Sequence, residues 1–149
     1  MSHPLYSPAL LALAERPPVQ VNPRTHIGRA SNAVCGDSVE VWVWLGPGQP
    51  VIGARARGCS VCQASAASMV ELLGELPWGT VACYLVQFAG DFEAAFASWL
   101  RDPMAAWDLA EQSGRVEPFR GVRLYPDRIP CCLLPWAALA ALQPQEEQP

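Results

Sequence analysis

Two short alternating segments, joined by a turn rich in glycine and proline, constrain the fold of this chain most. In the first, Val39 to Leu45, aliphatic residues at odd positions alternate with glutamate and tryptophan, which is the period of two that a β-strand shows. The second, Val51 to Arg57, has the same period, and Gly46 to Pro50 between them has the composition of a turn. The sequence therefore predicts an antiparallel hairpin.

The hairpin leads directly into a helical pattern that spans Val61 to Leu73. Ser60 followed by Gln63 has the spacing of a capping box, in which each side chain bonds a backbone N–H at the helix start. We expect Cys59 just outside this helix and Cys62 in its first turn. Unpaired N–H groups and the helix dipole favour an anion there, so both are predicted to be thiolates.

The rest of the chain is predicted to be mainly helical. The further predicted helices are a short one after the Ser7 cap, one from Asp91 to Leu100 with Asp91 as its cap, one from Asp102–Pro103 to about Gln112, and one from about Pro135 to Leu142. Val19 to Asn32 is predicted to be extended or irregular and Gly121 to Ile129 extended, and a strand is left open for Thr80 to Ala89.

Strands followed by helices predict an α+β fold, with a small antiparallel sheet of about three strands packed against several helices. With 149 residues, 51% of them hydrophobic and 16% charged, the chain is long and apolar enough for one folded domain. We assign residues 1–142 to this domain and 143–149 to a flexible polar tail.

Charge and hydropathy exclude several function classes. The net charge of −4 argues against nucleic-acid binding, which needs a basic stripe. No apolar run approaches the twenty residues of a transmembrane helix, and we expect a cytoplasmic protein without a membrane partner. In a reducing compartment the six cysteines favour metal or sulfur chemistry over a disulfide framework.

Three of the cysteines are predicted to meet at one end of the sheet. Cys35 lies in a turn before the first hairpin strand, Cys59 follows the second strand, and Cys131 lies at or just before the start of the last helix. Asp37 is the nearest carboxylate to Cys35. Three thiolates with one further ligand suit tetrahedral zinc or one side of an iron–sulfur cluster.

These segments resemble the U-type iron–sulfur cluster assembly scaffolds, the family of IscU, the N-terminal domain of NifU, and SufU. The resemblance covers about Tyr6 to Leu142, with the signature segments in family order. They are Asn22-Pro23-Arg24, Cys35-Gly36-Asp37, Gly58-Cys59-Ser60 with Ala64-Ser65, and Arg128-Ile129-Pro130-Cys131 with Leu134 and Trp136.

The resemblance implies a scaffold or sulfur-transfer protein rather than a conventional enzyme. Cys35, Asp37, Cys59 and Cys131 would hold iron, a transient [2Fe–2S] cluster or zinc. Cys59 or Cys131 would accept persulfide sulfur from a cysteine desulfurase, and the finished cluster would pass to recipient apo iron–sulfur proteins. The oligomeric state is left open.

A long segment between the second and third family cysteines is similar to the insert of the SufU branch, and we place that insert at about 91–117. Pro130 occupies the position before the third cysteine, where IscU-like members have histidine and SufU-like members a basic residue. The fourth ligand is therefore open, and the additional thiols Cys62 and Cys132 are alternates for it.

Two other functions remain open from the sequence. The first is a zinc-dependent sulfur acceptor that stimulates a cysteine desulfurase, with zinc on the same four residues. The second is a static zinc-stabilised interaction domain that uses Cys59, Cys62, Cys131 and Cys132, although adjacent cysteines are poor geometry for such a site.

Overall fold

A computed structural model describes residues 5–46, 49–76, 78, 84–102, 104 and 114–145. It confirms the α+β class, with an antiparallel sheet of four strands where about three were predicted. In chain order the elements are α1 (Pro8–Ala14), β1 (His26–Asn32), β2 (Asp37–Trp44), β3 (Val51–Arg57), α2 (Ser60–Glu75), α3 (Leu85–Arg101), 3₁₀ helices at Glu117–Leu124 and Pro126–Arg128, α4 (Ile129–Ala140) and β4 (Gln143–Pro144).

The sheet has the strand order β3-β2-β1-β4 and contains the predicted hairpin. In its register Trp44 pairs with Val51 and Ser38 with Arg57. Three odd positions of β2, Val39, Val41 and Val43, are buried in the hydrophobic core. The even positions, from Ser38 to Trp44, face the opposite side of the sheet.

The helices pack on the face of the sheet that carries Val41 and Val43, and α4 lies close against β1. A β-carbon on Gly28 would lie 1.9 Å from the carbonyl oxygen of Ala138, so only glycine allows this approach. Behind α4, Phe96 of α3 packs against Trp136 with ring centroids 5.6 Å apart. This packing fixes α4, and with it Cys131, against the end of the sheet.

Two strands were missed in the sequence. His26–Asn32 belongs to the segment predicted to be extended or irregular and forms β1, which lacks apolar alternation because Gly28 occupies a core-facing position. Gln143 and Pro144, which we assigned to the tail, pair with Ile27 and His26 as β4.

Three helix boundaries also differ from the predictions. α3 begins at Leu85, so Asp91 is an interior residue rather than a cap, and the strand left open there is a helix where the structure describes it. Gly121 to Ile129 is mostly 3₁₀ helix rather than extended. α4 begins at Ile129 and contains Pro135, which removes one helical hydrogen bond in an otherwise deeply packed helix.

Some predictions fall outside the described residues, namely most of the helix from Asp102–Pro103 to about Gln112 and residues 47–48 of the turn between β2 and β3. The insert placed at about 91–117 begins within α3, and its extent stays a prediction. In the part of the chain that the structure describes, no helix has the length and apolarity to cross a membrane.

Candidate metal centre

The four predicted ligands lie where β2 begins, β3 ends, and α2 and α4 start. Cys35 lies in the turn between β1 and β2, which Gly36 closes with a φ of 75° and an N–H donated to the Asn32 carbonyl. Asp37 is the first residue of β2. Cys59 is the N-cap of α2, and Cys131 is the third residue of α4. Residues far apart in the sequence thus converge at one end of the sheet.

The ligand atoms of Cys35, Asp37 and Cys131 all lie within 4.8 Å of one another. The two sulfur atoms of Cys35 and Cys131 are 3.8 Å apart. Cys59 is outside this mutually close set and joins it through Asp37, since its Sγ lies 3.5 Å from Asp37 Oδ2. The structure therefore brings all four predicted residues together, three tightly and the fourth at the edge.

Asp37 and the N-cap of α2 are joined by a second contact that depends on Gly58. The backbone N–H of Cys59 donates to Asp37 Oδ1 at 3.1 Å. A β-carbon on Gly58 would lie 1.9 Å from the same oxygen, and Gly58 has a φ of 145°, which residues with a side chain rarely adopt. The glycine before Cys59 thus makes room for the carboxylate.

The predicted capping box is wrong. Cys59, not Ser60, is the N-cap, and no side chain caps the helix from that position. With Cys59 as the N-cap, Gln63 lies one position beyond the N3 site of a capping box, and the N-cap N–H donates to Asp37. The Gln63 amide donates instead to the carbonyl of Gly58 at 3.0 Å.

The centre is closed on one side and open on the other. Asp37 and Cys131 are each only 2% exposed, whereas Cys35 is exposed and Cys59 is half-buried. Burial, then the charge of Cys59 and hydrogen bonding with Cys35 and Asp37, raise the pKa of Cys131. Clustered thiols disfavour ionisation of one another, and a bound cation reverses this effect by favouring the thiolates.

The alternates Cys62 and Cys132 lie in a different environment. Both are completely buried, and both belong to the hydrophobic core. Burial, followed by the charge of Asp37, raises the pKa of Cys62 to about 12, and burial raises that of Cys132 well above its usual value. The prediction that Cys62 is a thiolate in the helix dipole is therefore wrong, because loss of hydration outweighs the dipole.

Sequence reasoning missed one cation beside the thiols. The phenol of Tyr6 and the thiols of Cys59 and Cys131 raise the pKa of Arg128, which precedes the first residue of α4. The sequence signal that could have indicated this cation is the basic residue three positions before Cys131. His26 lies at the other end of β1 from the Asn32–Asp37 pair and contacts Thr25, so it is not close to the centre.

The donor set and its spacing fit a tetrahedral metal. With metal–sulfur bonds of about 2.3 Å, two ligands of tetrahedral zinc lie about 3.8 Å apart. The separation of the Cys35 and Cys131 sulfurs has this value. Three sulfurs and one buried carboxylate also suit iron, since thiolates are the usual ligands of iron–sulfur clusters.

A scan against protein-family models and a search of curated proteins found no match. Among solved structures, the chain is similar to the N-terminal part of a nitrogen-fixing NifU-like protein from Brucella abortus, with a TM-score of 0.71, 18% identity, and coverage of 92% of this chain and 90% of that one. It is also similar to a protein described as an iron–sulfur cluster assembly scaffold for the SUF system from Fervidobacterium islandicum AW-1. That match has a TM-score of 0.67 and 22% identity, and it covers 93% of this chain and 96% of the other. The fold expected from the sequence resemblance is therefore confirmed: this chain has the fold of these NifU-like and SufU proteins.

Proposed function

We propose that this protein is an iron–sulfur cluster assembly scaffold. The observation that carries the proposal is the half-open group of three thiols and a buried carboxylate, at one end of a sheet that the chain shares with NifU-like and SUF-system proteins. In this proposal Cys35, Asp37, Cys59 and Cys131 hold iron and then a transient [2Fe–2S] cluster as cargo. The free thiols that the structure describes suit a reducing compartment such as the cytoplasm.

Sulfur arrives as a persulfide on a cysteine desulfurase. A thiolate of the centre attacks the outer sulfur of that persulfide, the new sulfur–sulfur bond forms on this chain, and the desulfurase cysteine leaves as a thiolate. We propose Cys59 before Cys131 as the acceptor because Cys59 is half-buried and Cys131 almost fully buried. Cys35 is a further candidate for the sulfur acceptor because its side chain is exposed.

A scaffold must also release its cluster to a recipient apo protein. Asp37 is suited to release because a carboxylate is a harder and more labile ligand for iron than a thiolate. The variant Asp37→Ala should therefore hold a reconstituted cluster longer than the wild type. A shorter cluster lifetime in this variant, with its circular dichroism unchanged, would exclude this role for Asp37.

The second candidate function is a zinc-dependent sulfur acceptor that stimulates the desulfurase. It is favoured by proline rather than histidine before Cys131, and the sulfur separation of 3.8 Å is compatible with tetrahedral zinc. The static zinc domain is not proposed, because two of its four ligands, Cys62 and Cys132, are completely buried in the core.

One experiment distinguishes these functions. The protein is purified anaerobically, its zinc and iron are measured per chain, and it is added to a cysteine desulfurase with cysteine as substrate. Iron with a visible chromophore supports the scaffold, and zinc with faster desulfurase turnover supports the sulfur acceptor. Zinc without any effect on turnover contradicts both.

A further inference from the structure

We propose that the outer face of the sheet, on which none of the described helices packs, docks an acidic segment of a partner protein. This basic face is defined by the strand positions that point away from the core, together with Arg24. Its principal residues are Arg24, Arg29, Glu40, Trp42, Trp44, Arg55 and Arg57. The inference does not depend on the proposed function of the metal centre.

The first argument is the concentration of charge. The register places Glu40 between Arg29 on β1 and Arg55 on β3, and Arg57 lies on the same face opposite Ser38. With Arg24 the face carries four arginines and one glutamate, whereas the whole chain has a net charge of −4. A basic face on an acidic molecule creates a local field that attracts carboxylates and orients an approaching partner.

The second argument is the arrangement of donors around Trp42. The guanidinium carbons of Arg24 and Arg55 lie 5.1 and 6.0 Å from the centroid of its ring. Stacking on an aromatic ring holds a guanidinium in place and leaves its N–H groups directed at a ligand. The indole N–H of Trp42 is itself buried and has no acceptor among the described residues. The face thus offers ordered N–H donors, whereas Glu40 is the one carboxylate among its principal residues that can accept from them.

The third argument is accessibility. Arg29 pairs with Glu40 at 3.3 Å, yet the Arg29 side chain is 68% exposed, and such an exposed pair exchanges partners at little cost. Arg57 is exposed, and Val51 at the rim is 46% exposed. Among the described residues, the packed helices lie on the other face, whereas on this face Val19 and Val21 pack over Gly53 and Trp42 is buried. The groups that remain accessible to a partner are the exposed Arg29 and Arg57 and the half-buried Arg24 and Arg55.

The location links this face to the metal centre. Arg57 is the last residue of β3, directly before Gly58 and Cys59. The basic face therefore borders the end of β3 that leads into the centre. Guanidinium groups pair with carboxylates in a two-pronged geometry, so a segment rich in aspartate and glutamate is the occupant that this chemistry fits.

The test uses a synthetic acidic peptide of alternating glutamate, aspartate and glycine, with a glutamine and asparagine peptide as its neutral counterpart. Binding to the full chain is followed by tryptophan fluorescence and by calorimetry at low salt. We expect binding of the acidic peptide alone, and an affinity that falls as salt is added. The double variant Arg55→Gln/Arg57→Gln should weaken binding at least about tenfold, which is the loss expected when two charged contacts are removed.

The matched control is Arg101→Gln, because Arg101 is also exposed but lies at the end of α3, outside the basic face. It should change the affinity by less than about twofold. Absence of binding, or an equal loss in the Arg101→Gln control, overturns the proposal. A single-stranded DNA oligonucleotide of equal charge that binds more tightly through Arg55 and Arg57 also overturns it, in favour of a nucleic acid.

If the double variant loses its native circular dichroism, Arg57→Glu alone replaces it, because Arg57 is exposed and no core packing depends on it. This charge reversal should also weaken binding of the acidic peptide by at least about tenfold. An unchanged affinity in this variant overturns the proposal.

Discussion

Cys59 and Cys62 lie three positions apart at the start of α2, and Cys131 and Cys132 are neighbours in α4, yet each helix divides its pair between two environments. Cys59 and Cys131 contact the carboxylate-containing centre at the end of the sheet. Cys62 and Cys132 are completely buried in the hydrophobic core. In α4 the rotation between adjacent positions directs the two side chains to different surroundings. In α2 the pair is divided because Cys59 is the extended N-cap outside the helix, whereas Cys62 lies in its first turn.

The comparison indicates that burial and neighbouring groups, rather than a position at a helix start, determine whether a cysteine thiol ionises. Both members of the α2 pair lie at the positive end of the same helix dipole. Nevertheless, burial raises the pKa of Cys62 to about 12, which exceeds any benefit from the dipole. The predictions below test this division between a centre pair and a core pair.

The largest expected effect is on alkylation. A thiol with a pKa of about 12 is ionised to only about one part in ten thousand at pH 8, and Cys62 is also inaccessible. In metal-free protein, iodoacetamide should modify Cys35 and Cys59 at least about a thousandfold faster than Cys62 or Cys132. Mass spectrometry of the digested protein gives the rates. Equal rates for Cys59 and Cys62 would contradict the division.

The next effect is on metal affinity, tested with neighbouring residues and the same substitution. Cys131→Ala removes a sulfur of the centre and should weaken zinc binding at least about a hundredfold, more than the loss of a residue that only orients a ligand. Cys132→Ala should weaken it less than about threefold, because it removes only a core sulfur. Competition with a chromophoric chelator measures both. A comparable loss in the two variants would show that Cys132 is a ligand.

Gly58→Ala tests the contact between Asp37 and the start of α2. The new methyl group would overlap the Asp37 carboxylate and the backbone would be strained, so unfolding free energy should fall by about 2–3 kcal/mol. Gly74→Ala is the control, since Gly74 is a helical position with no atom close to an added β-carbon. It should stabilise the protein by about 0.5–1 kcal/mol. Urea unfolding of both variants checks this, and equal effects would disprove the close approach.

The smallest effect is on the stability of the metal-free protein. Cys62→Ser puts a hydroxyl into a completely buried apolar position and should cost about 1–2 kcal/mol. Cys59→Ser replaces a half-buried residue and should stay within about 0.5 kcal/mol of the wild type. Urea unfolding in the presence of a chelator measures both. A larger loss for Cys59→Ser would reverse the assignment of core and centre.

Much of the fold could be predicted because its signals are local. The alternation in Val39 to Leu45 and in Val51 to Arg57 predicted the hairpin, and Ser7 before Pro8 predicted the first cap, where Ser7 Oγ accepts from Leu10. β1 could not be predicted because the need for glycine at position 28 comes from its close contact with Ala138, which is distant in the sequence. The start of α4 was predicted too late because a proline locally indicates the first turn of a helix. In the structure Pro135 lies inside α4, where tertiary packing stabilises the helix around it.

For the centre, the sequence predicted which residues converge but not how each is buried. Cys35, Asp37 and Cys131 meet as expected from their places at strand and helix ends. The burial of Cys62 and Cys132 depends on which face of α2 and α4 packs inward. The nearly uniformly apolar α4 does not show that face, and in α2 serines such as Ser65 and Ser68 are buried with the apolar residues. The neighbourhood of Arg128 and Tyr6 is likewise a contact between distant segments.

The most direct test of the central claim is cluster formation and transfer at this centre. The metal-free protein is incubated anaerobically with ferrous iron, a cysteine desulfurase and cysteine, and the visible spectrum is followed before and after an apo ferredoxin is added. We predict a [2Fe–2S] chromophore that forms on the wild type and on Cys132→Ala, is absent from Cys131→Ala, and moves to the ferredoxin. A colourless wild-type protein that takes up neither iron nor sulfide would contradict the scaffold function.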